Sequence, residues 1–159
     1  MGEGKIVART YPAGMPIWER DATINDSDKS FTVPSRKRRR LLLVDAQILT
    51  SATVGNRYLV MTITDGTNII YTSIRGAAIA ASSSGAISIG QCYTAYLGTT
   101  YVKARMDSLA ATVATQVFDM LPSNMTLLPG YVIRVFDAAA IDVAADDMTV
   151  VLHYEELDV

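Results

Sequence analysis

Cysteine, histidine and charge are all scarce in this sequence. The 159 residues contain one cysteine, one histidine and one tryptophan, and only 19% are charged. The single Cys92 cannot close an intramolecular disulfide, so a disulfide-stapled secreted scaffold is excluded and a reducing compartment suits the chain. The only histidine, His153, lies in a strand whose other face carries Val150, Leu152 and Tyr154; it is expected to point away from the core. No Gly-x-Ser-x-Gly elbow and no phosphate-cradling glycine loop accompany it, and the expectation is a protein without catalytic residues, cofactor or metal. The longest run of Leu, Ile and Val alone, Leu41 to Val44, falls far short of the ~20 residues of a membrane helix. The N-terminus, Met1-Gly-Glu-Gly-Lys-Ile-Val, lacks the apolar core of a signal peptide, and Ile6 stands where a myristoylation motif needs Ser or Thr. No membrane role is therefore expected. Disorder is excluded as a global state, because half the residues are hydrophobic.

What remains is one domain's length of chain, with 20 alanines and 16 threonines. Its polar surface thus relies on hydroxyls more than on charge. The net charge of −2 conceals a polarity: residues 1–80 sum to +4 and residues 81–159 to −6. Such a split can be neutralised within one folded chain, complement itself between copies, or offer a basic patch to an acidic partner.

Along the chain, residues 1–30 read as an extended arm. Tyr11-Pro-Ala-Gly-Met-Pro interrupts regular structure, residues 21–29 are polar and turn-rich, and Ile17 and Trp18 are the strong apolar anchors. From residue 31 the pattern alternates with period two. Leu42, Val44, Ala46 and Ile48 form an apolar set opposite Leu41, Leu43, Asp45 and Gln47, and are assigned to the core. Tyr58–Thr64, the Asp65-Gly66 turn and Asn68–Ile74 predict a hairpin. Residues 76–86 read as a low-complexity loop, and further strands are predicted over 86–97, 113–120, 131–136 and 148–155; a helical turn is conceivable near Met106. Short strands separated by turns, without helix–strand alternation or repeats, predict an all-β fold: an antiparallel β-sandwich, with a jelly roll of about eight strands over residues 31–159 as the specific expectation.

Two charge clusters stand out. Arg36-Lys37-Arg38-Arg39-Arg40 is the densest run and enters a strand, so Arg38 and Arg40 share a side. An acidic total (pI near 5.3) argues against nucleic acid. Glu155, Glu156 and Asp158 are the natural partners of this run, either within one chain or between chains. The interface candidates are therefore Ile17, Trp18, Arg36, Lys37, Arg38, Arg39, Arg40, Glu155 and Glu156. The second cluster, Asp137, Asp142, Asp146 and Asp147, could ligate calcium, but it lacks EF-hand spacing and is equally suited to capping turns.

Four phrases carry a resemblance: Val33-Pro-Ser-x-Lys-Arg-Arg-Arg-Leu-Leu, Ser51-Ala-Thr-Val-Gly-Asn-Arg57, Leu128-Pro-Gly-Tyr-x-Ile-Arg-Val135, and Ala140-Ile-Asp-x-Ala-Ala-Asp-Asp-Met-Thr-Val150 followed by Tyr154-Glu-Glu156. Over residues 30–156 the chain resembles small virion structural proteins of tailed bacteriophages, of the capsid decoration (cement) kind. The resemblance implies a non-enzymatic β-sandwich that binds the major capsid protein, associates as a homotrimer, and is assembled in the bacterial cytoplasm onto the virion. The alternatives are a head–tail adaptor, tail or fibre component, and a carbohydrate-binding jelly-roll module that stacks sugars on aromatics such as Trp18, Tyr93, Tyr96 or Tyr101.

Overall fold

A computed structural model describes residues 16–74, 77–90, 116–122 and 125–159. Among them every regular element is a strand: β1 (Pro16–Asp21), β2 (Asp28–Thr32), β3 (Lys37–Leu49), β4 (Leu59–Thr64), β5 (Ile69–Ile74), β6 (Ser84–Gly90), β7 (Gln116–Met120), β8 (Thr126–Leu127), β9 (Val132–Asp137) and β10 (Asp147–Asp158).

The strands form two sheets. One has the order β1-β10-β3-β6-β7, with β8 also paired to β3; the other is β2-β9-β4-β5. All pairs are antiparallel except β6 with β7. The all-β sandwich read from the alternating pattern is what the chain forms. Beyond that, the pairs nest: β1 with β10, β2 with β9, β3 with β6, β4 with β5. Apolar side chains from both sheets fill the space between them. Val44, Ala46, Ile48, Ile87, Ile89, Val150 and Leu152 meet Phe31, Leu59, Met61, Ile63, Ile133 and Val135. Asp65 closes the β4–β5 turn by accepting the Thr67 and Asn68 N–H groups, and Gly66 supplies the positive φ of +97° there.

The structure departs from the sequence reading at four places. First, the arm expected over residues 1–30 is part of the sandwich from residue 16 onward. Pro16-Ile-Trp-Glu-Arg-Asp21 alternates Ile17 and Glu19 against Trp18 and Arg20, and pairs along β10 from Pro16↔Glu155 to Asp21↔Val150. Residues 22–29 are tied down by Lys29, whose ammonium is fully buried and contacts Thr23 O, Asp26 and Asp21 at 2.9–3.3 Å. Residues 1–15 lie outside the described residues.

Second, strict alternation fails inside β3. The register with β10 passes from His153↔Leu43 to Tyr154↔Leu41, leaving Leu42 as a bulge. One extra residue reverses every facing before it. Leu41 and Arg39 therefore turn inward, and Leu42 does not join the core. Arg38 and Arg40 do share a side, as expected, but it is the outer one. Third, both faces of β3 are covered along its second half, where Asp45 and Gln47 are buried as well as Ala46 and Ile48.

Fourth, residues 77–83 are not a loose loop. Ile79 exchanges both backbone bonds with Arg57 at 2.9 Å and is buried in the core, and residues 84–86 already belong to β6. Cys92, the tyrosines at 93, 96 and 101, and the helical turn near Met106 all lie outside the described residues.

Candidate interaction surface

The interface candidates gather around the edge where β1, β10 and the first half of β3 lie side by side. The register aligns Pro16, Glu155 and Arg40 in one row and, beyond the Ile17–Tyr154–Leu41 row, Trp18, His153 and Leu43 in another. The basic run is divided by the alternation of the strand. Arg39 points inward: its Nη1 lies 2.8 Å from Glu19 Oε2, its Nε donates to Glu156 Oε2 at 3.1 Å, and its guanidinium sits 4.1 Å above the Tyr154 ring. Tyr154 OH also donates to Glu19 at 3.1 Å. Burial, with the neighbouring Glu19 carboxylate, drives the Tyr154 hydroxyl well above the usual phenol range despite the opposing Arg39 charge.

Outside this network, Arg40 pairs with Glu155 at 2.7 Å, and Lys37 with Asp158 at 2.6 Å and Glu156 at 3.4 Å. The Asp158 hydrogen bond is the main reason the Lys37 ammonium titrates above its ordinary value. The carboxylates that charge complementarity singled out as partners thus meet the basic run within one chain. Arg36, in the turn before β3 with φ 65°, and Arg38 remain exposed, and neither is ion-paired among the described residues.

Beside this ladder, Trp18 stacks on His153 with ring centroids 3.7 Å apart and planes 5° from parallel. The pair stands on the outer face, as expected for His153. One face of the indole is covered by the imidazole, yet Trp18 retains 45% of its surface exposed. An exposed tryptophan on the outer face of a sheet, with Arg20 and Glu155 nearby on β1 and β10, has the composition of an interface anchor. Ile17, its neighbour, turns the other way and packs partly buried against the core.

At the opposite end of the sandwich, sequence reasoning missed a second charged assembly. Arg57 and Asp146 are both fully buried and form a two-pronged pair, Nε to Oδ2 at 2.9 Å and Nη2 to Oδ1 at 3.1 Å. The other guanidinium N–H groups donate to Thr53 O, Gly55 O and Ser51 Oγ at 2.7–3.1 Å. The Asp146 contact is the chief cause holding the Arg57 pKa above its ordinary value. Asp142 accepts from Thr53 Oγ1 at 2.6 Å and Ser51 Oγ at 2.7 Å, and these hydroxyls lower its pKa. Asp137 accepts the N–H groups of Tyr58, Ala139 and Ile141, and Asp147 that of Asn25. The acidic loop considered for calcium is thus bonded to backbone, hydroxyls and Arg57. Among the described residues, no three His, Cys, Asp or Glu side chains group closely enough to hold a metal. Nothing local marks Arg57 as buried; its partner lies 89 residues away.

No protein-family model matches the chain, and no curated protein does. One solved structure, described as "Structure of infectious bursal disease virus Gx strain", is similar at a TM-score of 0.31 and 12% identity. The match covers 98% of this chain and 40% of that one, so the chain spans well under half its length. A likeness of that extent fixes neither fold nor role.

Proposed function

We propose that the chain is a virion structural protein, and specifically a decoration protein that binds the major capsid protein of a tailed phage. The observation that carries this reading is the nested pairing of eight strands, β1 with β10, β2 with β9, β3 with β6 and β4 with β5, in two facing sheets. That nesting supports reading the sandwich as a jelly roll, an architecture used in viral shells and in lectins. The quoted phrases that resemble tailed-phage proteins favour the first of those two uses. The treatment of charge agrees: Lys29, Arg57, Asp137, Asp142 and Asp146 hold loops in place. In a decoration role the outer face around Trp18, Arg40 and Glu155 meets the shell, and its binding free energy adds to particle stability.

The test is a copy count. Quantitative mass spectrometry of purified particles from a lysate that produces this chain should find hundreds of copies for a decoration protein. A dozen or fewer would move the assignment to a connector, tail or fibre component. Absence from the particle would overturn the virion reading. A second reading has one observation in its favour: Trp18 is 45% exposed on the outer face, and an exposed indole could stack a pyranose ring, as in a carbohydrate-binding module. A glycan array would check it, with Trp18→Ala as the control.

A further inference from the structure

We propose that the Trp18–His153 stack is a pH-responsive clasp on strand β1, one that tightens when His153 is protonated. Strand β1 ends the described order of its sheet, and its described pairing is to β10 alone. Cross-strand side-chain pairs weigh heavily in holding such a strand. On the inner face, Glu19 pairs with Arg39 and accepts from Tyr154 OH. On the outer face, Trp18 lies directly opposite His153 and stacks on it.

The worth of that stack depends on charge. Neutral aromatic pairs prefer offset or edge-on contacts, with centroids about 4.5–7 Å apart. Here the planes are 5° from parallel and the centroids only 3.7 Å apart, so the rings face each other more closely than neutral rings prefer. A cation held over the face of an indole is attracted in this same arrangement. The geometry therefore suits the imidazolium better than the neutral imidazole. His153 is the single histidine, and Trp18 the single tryptophan. Any imidazole titration of this chain therefore reports on this one contact.

The charged groups that share the outer face among the described residues are Arg20 on β1, Glu155 on β10, and Arg40 and the buried Asp45 on β3. Arg40 and Glu155 pair with each other at 2.7 Å, and Arg20 and Asp45 are opposite in sign. The stacked indole thus decides the direction. It favours the protonated form in the folded chain. Its stabilisation is complete below about pH 6.5, the ordinary imidazole value, and is lost as pH rises through the folded-state midpoint. The indole is then pinned at low pH and looser at high pH, on the face that a decoration role brings to the shell. The clasp belongs to the isolated chain and does not rest on that role.

The experiment uses the full-length chain without a partner. Nuclear magnetic resonance follows the His153 ring protons between about pH 5 and pH 8.5, the range in which imidazole titrates. Replacing Trp18 by leucine (Trp18→Leu) should lower the titration midpoint by about 0.5 pH. In urea unfolding, the advantage of the native chain over Trp18→Leu should be about two- to fivefold larger in the equilibrium constant at low pH than at high pH. The fluorescence of Trp18 should fall as His153 gains its proton, and His153→Gln, which cannot titrate, should abolish that transition with an unchanged far-ultraviolet circular dichroism spectrum. Equal midpoints in the native chain and Trp18→Leu, or a fluorescence transition that survives His153→Gln, would overturn the proposal. Neither result bears on the shell assignment, which stands or falls on the copy count.

Discussion

The two ends of the sandwich use charge in opposite ways. At the acidic end, a single guanidinium is fully buried with Asp146, and its remaining donors are matched by Thr53 O, Gly55 O and Ser51 Oγ. At the basic end, five consecutive cations grade from buried to exposed. Arg39 is held by Glu19, Glu156 and the Tyr154 ring, Arg40 and Lys37 form partly exposed pairs, and Arg36 and Arg38 reach solvent. Exposed pairs gain little because water screens them and side-chain entropy opposes them, whereas a buried pair cannot lose one partner cheaply. The difference teaches that the isolated Arg57, and not only the conspicuous basic run, is an electrostatic tie whose loss of a partner would be costly.

The sharpest way to break that comparison is Arg57→Met. It leaves Asp146 charged and buried, and urea unfolding should show a loss of about 3–5 kcal/mol. Pairing it with Asp146→Leu should recover most of the loss; if the double variant is as unstable as the single, the buried charge is not the cause. Arg39→Ala should cost less, about 1.5–3 kcal/mol, because its carboxylate partners regain water once it is gone. Its near-ultraviolet circular dichroism should change through Tyr154. An equal loss at Arg39 and Arg57 would erase the distinction between the ends.

Gly55→Ala tests the packing of the acidic end. With φ +149° and Ile141 Cδ1 only 2.9 Å from the new Cβ, a loss of about 1–2 kcal/mol is expected on thermal unfolding. The smallest effect concerns pH. Hydroxyl hydrogen bonds depress the Asp142 carboxyl, and the Asn68 and Thr67 N–H groups depress that of Asp65. Each folded-state pKa lies below its unfolded value, so the stabilisation is present above about pH 4 and is lost as pH falls through the folded value. Asp142→Asn should therefore flatten the acid limb of the stability–pH curve and leave the curve's shape at neutral pH unchanged. An unaltered acid limb would show that Asp142 does not contribute.

Much of the sandwich was legible because it follows from period. Leu59, Met61 and Ile63 alternate, as do Met148, Val150 and Leu152, and Asp65-Gly66 marks the hairpin between β4 and β5. The edge strand β1 was not legible, since Pro16-Ile-Trp-Glu-Arg-Asp21 becomes a strand only with β10 beside it. Among the interface candidates, Trp18, Arg36 and Arg38 stand exposed, whereas Arg39 and Ile17 turn toward the interior.

The amino-acid order by itself determined an all-β chain with its hairpin, most of its strands and most of its core, because side-chain alternation is a local property of extended backbone. Only the tertiary structure decided which arginine enters the interior, because a single bulge at Leu42, set by packing against β10, reverses the alternation before it. Only the tertiary structure could join Arg57 to Asp146, and only it decided that Glu156, an expected partner of the basic run, meets Arg39 and does so within one chain. Those partners lie 89 and 117 residues apart in the chain: the first pair joins loops flanking strands of different sheets, the second exists only once β10 lies in register beside β3, and no local pattern encodes either.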